Sequence, residues 1–238
     1  MQIGIKKEEN KMPTSTTFNL ETHQRAERKA LATIVEWRSS TGGVYALQTS
    51  KPDDWATNYT SYYTRSGSTG SYTYAAVTGE SAPTWAASTY YTRVERELMG
   101  RRTEDSAIEY NADIETTTDI LGINYTDINR TQPEQSFDPF VVIGGSKLGE
   151  YLNDKRRRNA LSEISNFNVY IITLFIGDNT NGYAAEKHEN CTITWDSIGG
   201  DTTTNFPITV HFSNEITIGT VDKFGTDFVF TPEATNVG

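Results

Sequence analysis

Residues 107–115 read Ala-Ile-Glu-Tyr-Asn-Ala-Asp-Ile-Glu, and apolar and polar side chains alternate along almost all of this stretch. Successive side chains of a strand point to opposite faces of its sheet, so the alternation predicts a strand with one apolar and one acidic face. Ser or Thr would keep such a face soluble, and the carboxylates therefore indicate a use for negative charge. Set side by side in a closed assembly, these strands would form an acidic wall.

The bulk composition favours a β-rich protein that does not bind nucleic acid through its phosphates. The chain has 238 residues, a formal net charge of −10 and 11% aromatic residues, of which Tyr is the commonest. Aromatic residues are enriched in strands, and phosphate neutralisation requires a basic surface. The sequence contains neither an apolar signal segment near its start nor an apolar run of membrane-spanning length. We expect synthesis in a reducing cytoplasm and no membrane partner.

Composition divides the chain into three parts. Residues 1–17 mix charges and small polar residues and are predicted to form a flexible N-terminal arm. Residues 18–49 and 96–238 carry regular apolar patterns and are predicted to form one domain. Residues 50–95 are rich in Tyr and Trp and are predicted to form an inserted β lobe.

The main domain is predicted to be a β-sandwich with a single helix. The predicted strands are about 30–37, 106–118, 124–136, 169–176, 184–196, 205–213 and 216–230. The strands at 106–118 and 124–136 form a long hairpin, and 169–176 is apolar enough to be buried on both faces. Helical spacing of apolar residues predicts the helix over 147–164, with Ser146 as a candidate N-cap.

The predicted lobe contains one phrase twice. Trp55-Ala56 precedes Tyr62-Tyr63-Thr64-Arg65, and Trp85-Ala86 precedes Tyr90-Tyr91-Thr92-Arg93. This indicates an internal duplication of a hairpin-sized unit. Exposed aromatic side chains are typical of sugar-binding and adhesive surfaces; the alternative is that they form a small core of the lobe. The candidate external binding residues are Trp55, Tyr62, Tyr63, Trp85, Tyr90 and Tyr91.

No residue pattern predicts catalysis or a metal site. The three histidines of the chain occur without a Ser-His-Asp order. Glu109, Asp113 and Glu115 follow one strand, whereas glycosidase carboxylates converge from separate elements. His188 and Cys191 would face opposite sides of a strand, which suits a buried cysteine beside a surface histidine. We therefore expect neither an enzyme nor a bound metal or cofactor.

From Arg101 to Pro232 the chain resembles the major tail tube proteins of long-tailed, siphovirus-like bacteriophages of Gram-positive hosts. The matching phrases are Arg-Arg-Thr-Glu-Asp-Ser-Ala-Ile-Glu-Tyr-Asn (101–111), Thr-Asp-Ile-Leu-Gly (118–122), Gln-Ser-Phe-Asp-Pro-Phe (135–140), Asn-Cys-Thr-Ile-Thr (190–194), Gly-Thr-Val-Asp (219–222) and Phe-Thr-Pro (230–232). Residues 17–22, Thr-Phe-Asn-Leu-Glu-Thr, fit the start of the family. Residues 50–95 depart from it, because a short loop occupies their place in the family pattern.

The resemblance implies a fold and a structural role. Tail tube subunits are similar in having a β-sandwich, one flanking α-helix and a long hairpin that joins the closed inner barrel of a hexameric ring. Rings stack with the help of the N-terminal arm and loops, and viral DNA passes transiently through the bore during genome ejection. The implied partners are further copies of the chain and the tape-measure, tail-terminator and distal-tail proteins of a virion.

In such a ring the acidic strand face is expected to line the bore, while Tyr110, Ala112 and Ile114 pack on the sandwich. The candidate DNA-facing residues are Glu109, Asp113, Glu115 and Asp119. Like charge repels DNA phosphates over a Debye length of about 8–10 Å, so the genome slides instead of adhering. The alternative function is a tail decoration protein or adhesin that binds cell-surface glycan through residues 50–95. For that segment we favour the outside of the tube over a contact with the neighbouring ring.

Overall fold

A computed structural model gives the structure of the protein and describes residues 31–40, 43–48, 51–68, 71–100, 106–141, 145–178, 180–200 and 204–233. The strands in these residues are β1 Leu31–Arg38, β2 Val44–Leu47, β3 Tyr62–Ser68, β4 Ser71–Ala76, β5 Tyr90–Leu98, β6 Ile108–Glu109, β7 Asp113–Thr118, β8 Asn124–Arg130, β9 Glu134–Phe137, β10 Phe167–Asp178, β11 Gly182–Trp195, β12 Ile208–His211, β13 Ile216–Val221 and β14 Phe230–Pro232. The helices are α1 Trp55–Asn58 and α2 Lys147–Arg158, with 3₁₀ turns at Tyr59–Ser61 and Leu161–Ile164. The predicted arm at 1–17 lies outside the described residues. None of the described helices is long and apolar enough to cross a membrane.

Most of the strands belong to one antiparallel sheet that has two halves joined by β11. Its order is β4-β3-β5-β1-β10-β11-β12-β9-β6, with β13 and β14 continuing from β11 and β2 from β5. The first part of β11 pairs with β10 and β13, and its last residues, 192–195, pair with β12. Strands β7 and β8 form a separate two-stranded sheet. The described residues are therefore mainly β, as predicted.

The main core combines residues of both halves of the sheet with α2, which is consistent with the predicted sandwich. The first half contributes Val35, Trp37, Val169 and Ile171, the second half Phe137, Ile193, Ile208 and Val210, and the helix Leu148 and Leu152. A second core contains Ile34, Tyr170 and Ile172. Because successive residues of β1 and β10 enter different cores, both strands are buried on two faces. This confirms the two-sided burial predicted for 169–176 in residues 169–172, whereas Phe175 is exposed.

Helix α2 is shorter than the predicted span of 147–164. Its N-cap is Ser146, as predicted, and the Oγ of Ser146 accepts a hydrogen bond from the N–H of Gly149 at 3.2 Å. Asn159 has a φ of 53°, the left-handed conformation that commonly ends helices. Ile164 still enters the main core from the following 3₁₀ turn, which explains why the apolar periodicity continues beyond the helix.

The predicted strands 106–118 and 124–136 are each broken once. Asn111, with a φ of 41°, separates β6 from β7, and its side chain donates to the carbonyl of Gln132 at 3.3 Å. Pro133, which has no N–H for a strand ladder, lies between β8 and β9. The base of the hairpin, β6–β9, joins the main sheet through β12. Strands β7 and β8, the distal hairpin, pair only with each other among the described residues.

A buried ion pair connects the first half of the sheet to the C-terminal strands. The Nε of Arg96 donates to Glu36 at 2.6 Å, and the exposed fractions of the two side chains are 5% and 1%. Glu36 also accepts hydrogen bonds from Asn168 at 2.9 Å and from Tyr170 at 3.3 Å. Burial, together with the nearby carboxylate, raises the pKa of Tyr170 well above its usual value. Arg96 also donates to the carbonyl of Phe228 at 2.8 Å. One guanidinium therefore forms hydrogen bonds with both Glu36 of β1 and the backbone at Phe228.

The variant Arg96→Met leaves the Glu36 carboxylate buried without its cation. We expect it to lower the free energy of unfolding by about 3–5 kcal/mol, measured by urea denaturation and circular dichroism. The matched control is Arg158→Met, which removes the exposed pair with Asp154. Its expected cost is below about 1 kcal/mol. Equal losses in the two variants would contradict a structural role for the buried pair.

Candidate functional site

Among the residues that the structure describes, the distal hairpin has no packing partner. Every residue of β7 and β8 is exposed. Ile114 and Ile128 lie directly opposite each other and remain 59% and 64% exposed. Tyr110, Ala112 and Ile114, which are expected to pack on the sandwich within a ring, are all exposed in the single chain. The physical reason is the break at Asn111, beyond which neither strand pairs with the main sheet.

The two faces of the distal hairpin differ in character. Ile114 and Ile128 share one face with the Thr116–Thr126 pair. The opposite face holds Glu115 directly across from Asp127. Like charges placed opposite each other destabilise a strand pair, so this arrangement is not explained by the stability of the hairpin. Residues 113–130 contain four carboxylates and one guanidinium.

The structure brings together only part of the predicted acidic group. Asp113 and Glu115 share a face of β7, and Asp113 lies 3.7 Å from the guanidinium of Arg130. Glu109 lies instead on β6, at the base of the hairpin, opposite Glu134. Asp127 was missed by the sequence analysis, because only the register across the turn places it beside Glu115.

Asp119, the fourth predicted residue, organises the tip of the hairpin. Its carboxylate accepts hydrogen bonds from the N–H groups of Leu121 at 2.8 Å and Ile123 at 2.9 Å. These hydrogen bonds, that of Ile123 first, lower the pKa of Asp119 below its usual value. The turn presents Ile120, which is fully exposed, and Leu121, which is 78% exposed. The distal hairpin therefore ends in an apolar tip whose backbone is fixed by an aspartate.

Residues 51–95, the aromatic extension, continue the main sheet. Strand β5 pairs with β1 through residues 94–98 and with β3 through residues 90–92. Strand β4 then adds to the outer side of β3. The boundary predicted between residues 95 and 96 therefore falls inside β5. The segment shares a strand with the main domain instead of being appended to it as a lobe.

The two copies of the repeated phrase pair with each other. Tyr63 lies opposite Tyr91, Tyr62 opposite Thr92, and Thr64 opposite Tyr90. Equivalent positions of the copies are thus exchanged about the Tyr63–Tyr91 pair, which gives the two strands a local twofold relationship. The duplication builds one structural unit from two copies, and each copy supplies one strand.

The aromatic extension has its own core, which was the alternative interpretation of the repeat. The ring of Trp55 lies 5.1 Å from that of Tyr62, 4.9 Å from that of Trp85 and 4.4 Å from that of Tyr90. Trp55, Tyr62, Tyr90 and Tyr91 are buried, and Tyr63 and Trp85 are partly buried. Buried aromatic faces cannot stack on an external ligand. This corrects the expectation that the six side chains form an exposed binding surface.

A second group of tyrosines in and beside the extension makes contacts with itself. Tyr45 stacks on Tyr74 with ring centroids 3.9 Å apart. The guanidinium of Arg65 lies 4.2 Å from the ring centroid of Tyr72 and 5.1 Å from that of Tyr91. Stacking and cation–π contacts of this kind fix the side chains on the sheet. These rings therefore already make contacts within the chain.

The two residues considered for metal binding, His188 and Cys191, are both buried. His188 is buried against Phe212, with ring centroids 4.8 Å apart, so the expectation of a surface histidine is wrong. A bulge at Asn190, with a φ of 57°, shifts the register and turns this side chain inward. Burial raises the pKa of the Cys191 thiol to about 11. No group of three metal-ligating side chains occurs within the described part of the chain.

Comparisons with known proteins give one structural similarity. No family model matches the chain, and no curated protein matches it. Among solved structures, it is similar to the cryo-EM structure of an extracellular contractile injection system, a PVC sheath–tube complex in the extended state. The TM-score is 0.31 and the identity 14%, over 51% of this chain and 82% of that chain. A TM-score at this level carries no weight for fold or function.

The core of the aromatic extension predicts a difference between two aromatic substitutions. Trp55, 2% exposed, donates its ring N–H to the carbonyl of Pro83 at 2.9 Å. Trp55→Ala should lower the free energy of unfolding by about 3–5 kcal/mol. Tyr72→Ala, at a side chain 38% exposed, should cost less than about 1 kcal/mol. Urea denaturation followed by circular dichroism measures both. Similar values for the two variants would contradict a structural role for Trp55.

Proposed function

We propose that the protein is a structural subunit of a tail tube, in which hexameric rings stack and conduct a genome through their bore. The observation that carries the proposal is the distal hairpin. It is an amphipathic two-stranded sheet with both faces exposed and both outer edges unpaired among the described residues. The family resemblance of residues 101–232 remains a prediction that agrees with this role.

Free strand edges favour self-assembly. An isolated two-stranded hairpin is at best marginally stable in water, and its open edges invite pairing with another chain. When copies of the hairpin close into a barrel, every strand edge is paired and none remains free. A closed ring of subunits therefore supplies the contacts that the distal hairpin lacks in the single chain. It also limits the pairing that would otherwise lead to aggregation.

The two faces of the hairpin then acquire different roles. Ile114 and Ile128 face the sandwich bodies of the ring, where burial of their side chains stabilises the assembly by about 25 cal/mol per Å². Asp113, Glu115 and Asp127 face the bore, together with Glu109 nearer the base. A like-charged wall repels DNA phosphates within about 8–10 Å at physiological salt, so it acts mainly when DNA is close to the wall. The repulsion between Glu115 and Asp127 is the cost of this property.

The proposed role is mechanical and electrostatic, without catalysis or a cofactor. The family resemblance extends it to contacts with tape-measure, tail-terminator and distal-tail proteins in a virion. The adhesin alternative has no comparable support. Four of its six candidate side chains are buried in the chain itself, and Tyr63 and Trp85 are only partly exposed.

Assembly depends in this account on the apolar face of the hairpin. The purified protein is expected to form rings and tubes in negative-stain electron microscopy. Ile114→Asp should leave the subunit folded, because the side chain is exposed there, yet prevent ring formation by burying an unpaired carboxylate. The control is Ile198→Asp, at an exposed isoleucine outside the hairpin. Rings formed equally well by both variants, or by neither variant nor the unmodified protein, would contradict the proposal.

The acidic face predicts how assembled tubes interact with DNA. Tubes of the unmodified protein should not retain DNA. Tubes that carry Lys at Asp113, Glu115 and Asp127 together should retain it. Retention should weaken steeply between about 50 and about 200 mM salt, because binding releases counterions. Cosedimentation of DNA with tubes measures the effect, and electron microscopy verifies that the tubes are intact.

The charge-matched control substitutes Lys at Asp53, Glu80 and Glu233, exposed acids outside the hairpin. It changes the net charge of the subunit by the same amount. Equal retention of DNA by the control tubes, or none by the hairpin variant, would exclude an acidic lumen formed by these residues.

A further inference from the structure

We propose that the apolar tip of the distal hairpin seats in an apolar groove of a second copy of this chain, in the next ring of the stack. The tip consists of Ile120, Leu121 and Ile123. The groove lies at the base of the hairpin and is rimmed by Leu31 and Phe224. The inference rests on the proposed tube and specifies the contact that joins successive rings.

The tip has the properties of a preformed plug. Its three large apolar side chains are exposed in the single chain. The Asp119 carboxylate and the hydrogen bond from the Gly122 N–H to the Asp119 carbonyl, at 3.0 Å, fix the turn before any partner arrives. A preorganised loop loses little entropy on docking. Exposed apolar side chains on a fixed loop are typical of an interaction site, because their solvation is unfavourable until they are covered.

The groove matches the tip in chemistry. Its volume is about 440 Å³, and none of the described residues that line it is charged; these residues are Leu31, Ala32, Thr33, Leu98, Met99, Gly100, Ser106, Gln135, Phe137, Leu174 and Phe224. Three other cavities of the described residues are lined in part by charged residues, including Glu95, Arg65 and Asp54 respectively. Burying apolar side chains beside charges would desolvate those charges. Judged by the described lining residues of these four cavities, this groove is the one that would accept an apolar plug without that cost.

The position of the groove favours a neighbouring ring over the same ring. Strands of a closed barrel run obliquely from one end to the other, tilted by about 35–45° from its axis. The tip therefore emerges at one end of the barrel, and the base of the hairpin lies at the other. Ile120 follows Glu109 by eleven positions along the chain, which corresponds to a reach of up to roughly 35 Å. Gln135 and Phe137 of β9 line the groove, so the tip of one ring meets the groove of the next.

This contact is head-to-tail, which is the type that generates open-ended stacks. It joins two different surfaces of the same chain, so each added ring presents a fresh groove at one end and fresh tips at the other. The other potential occupant of the groove is residues 1–30 of the same chain, which lead directly into Leu31. The experiment below distinguishes the two.

Cysteine cross-linking tests the contact in the full-length protein. The sole native cysteine, Cys191, is buried, and its raised pKa keeps the thiol protonated, so background labelling is low. The test variant carries Leu121→Cys and Phe224→Cys, and the control carries Leu121→Cys and Ile198→Cys. A short bis-maleimide is applied to tubes and to unstacked rings. We expect at least tenfold more covalent dimer in test tubes than in control tubes, and loss of the dimer in unstacked rings.

The single variant Phe224→Cys identifies the occupant. A thiol that a monofunctional maleimide labels in unstacked rings but not in tubes supports docking of a second copy. A thiol protected in both states indicates that the groove is covered by the chain itself, and a thiol labelled in both indicates that nothing covers it. Either of these results, or intact tubes without cross-links, overturns the inference and leaves the proposed tube standing. Absence of rings and tubes altogether overturns the proposed function as well.

Discussion

Two backbone edges without partners set the main constraint on this structure. Strands β7 and β8 bond to each other, and beyond them the hairpin has no ladder among the described residues. Its apolar face is exposed at the same time, with Ile114 and Ile128 in solvent. A sequence that maintains such a hairpin needs neighbours, because isolated hairpins are marginal in water and open edges aggregate. The proposed closure into a ring would satisfy the edges and the apolar face together.

The remainder of the fold holds this hairpin in place. The base, β6–β9, is attached through β12 to the sheet half that contributes Ile193 and Val210 to the main core. The long strand β11 connects that half to the other, where Glu36 and Arg96 form their buried pair. The distal hairpin therefore extends from a part of the fold that has a packed core, whereas all residues of β7 and β8 are exposed.

Sequence patterns predicted the strands well where side-chain orientation follows from local period. The alternation at 107–115 identified the two faces of β7, and the apolar run at 169–176 identified a strand whose residues 169–172 are buried on both sides. The pattern could not reveal the break at Asn111, because one left-handed residue leaves the order of polar and apolar residues unchanged. The end of α2 at Asn159 was not predicted, for the same reason. Apolar spacing continues into the 3₁₀ turn that carries Ile164.

Pairing between distant segments accounts for what the sequence missed at the candidate site. Asp127 joins Glu115 only through the register of the β7–β8 ladder. The repeated aromatic phrases left two interpretations open, an exposed surface and a small core, and the pairing of β3 with β5 turns Tyr62 and Tyr90 toward Trp55. Composition identified the aromatic residues that matter in this segment, but it did not predict which side of the sheet they occupy. That choice depends on which strand lies beside each copy.

The central claim is that the distal hairpin forms the inner wall of a closed ring. A cryo-EM reconstruction of the assembled protein, at a resolution that traces the backbone, measures the radius at which residues 113–130 lie. The account predicts that they form the innermost layer, with Glu115 and Asp127 facing the bore and Ile114 facing the sandwich. A ring whose inner wall is built from another segment, with the hairpin on the outer surface, would contradict it.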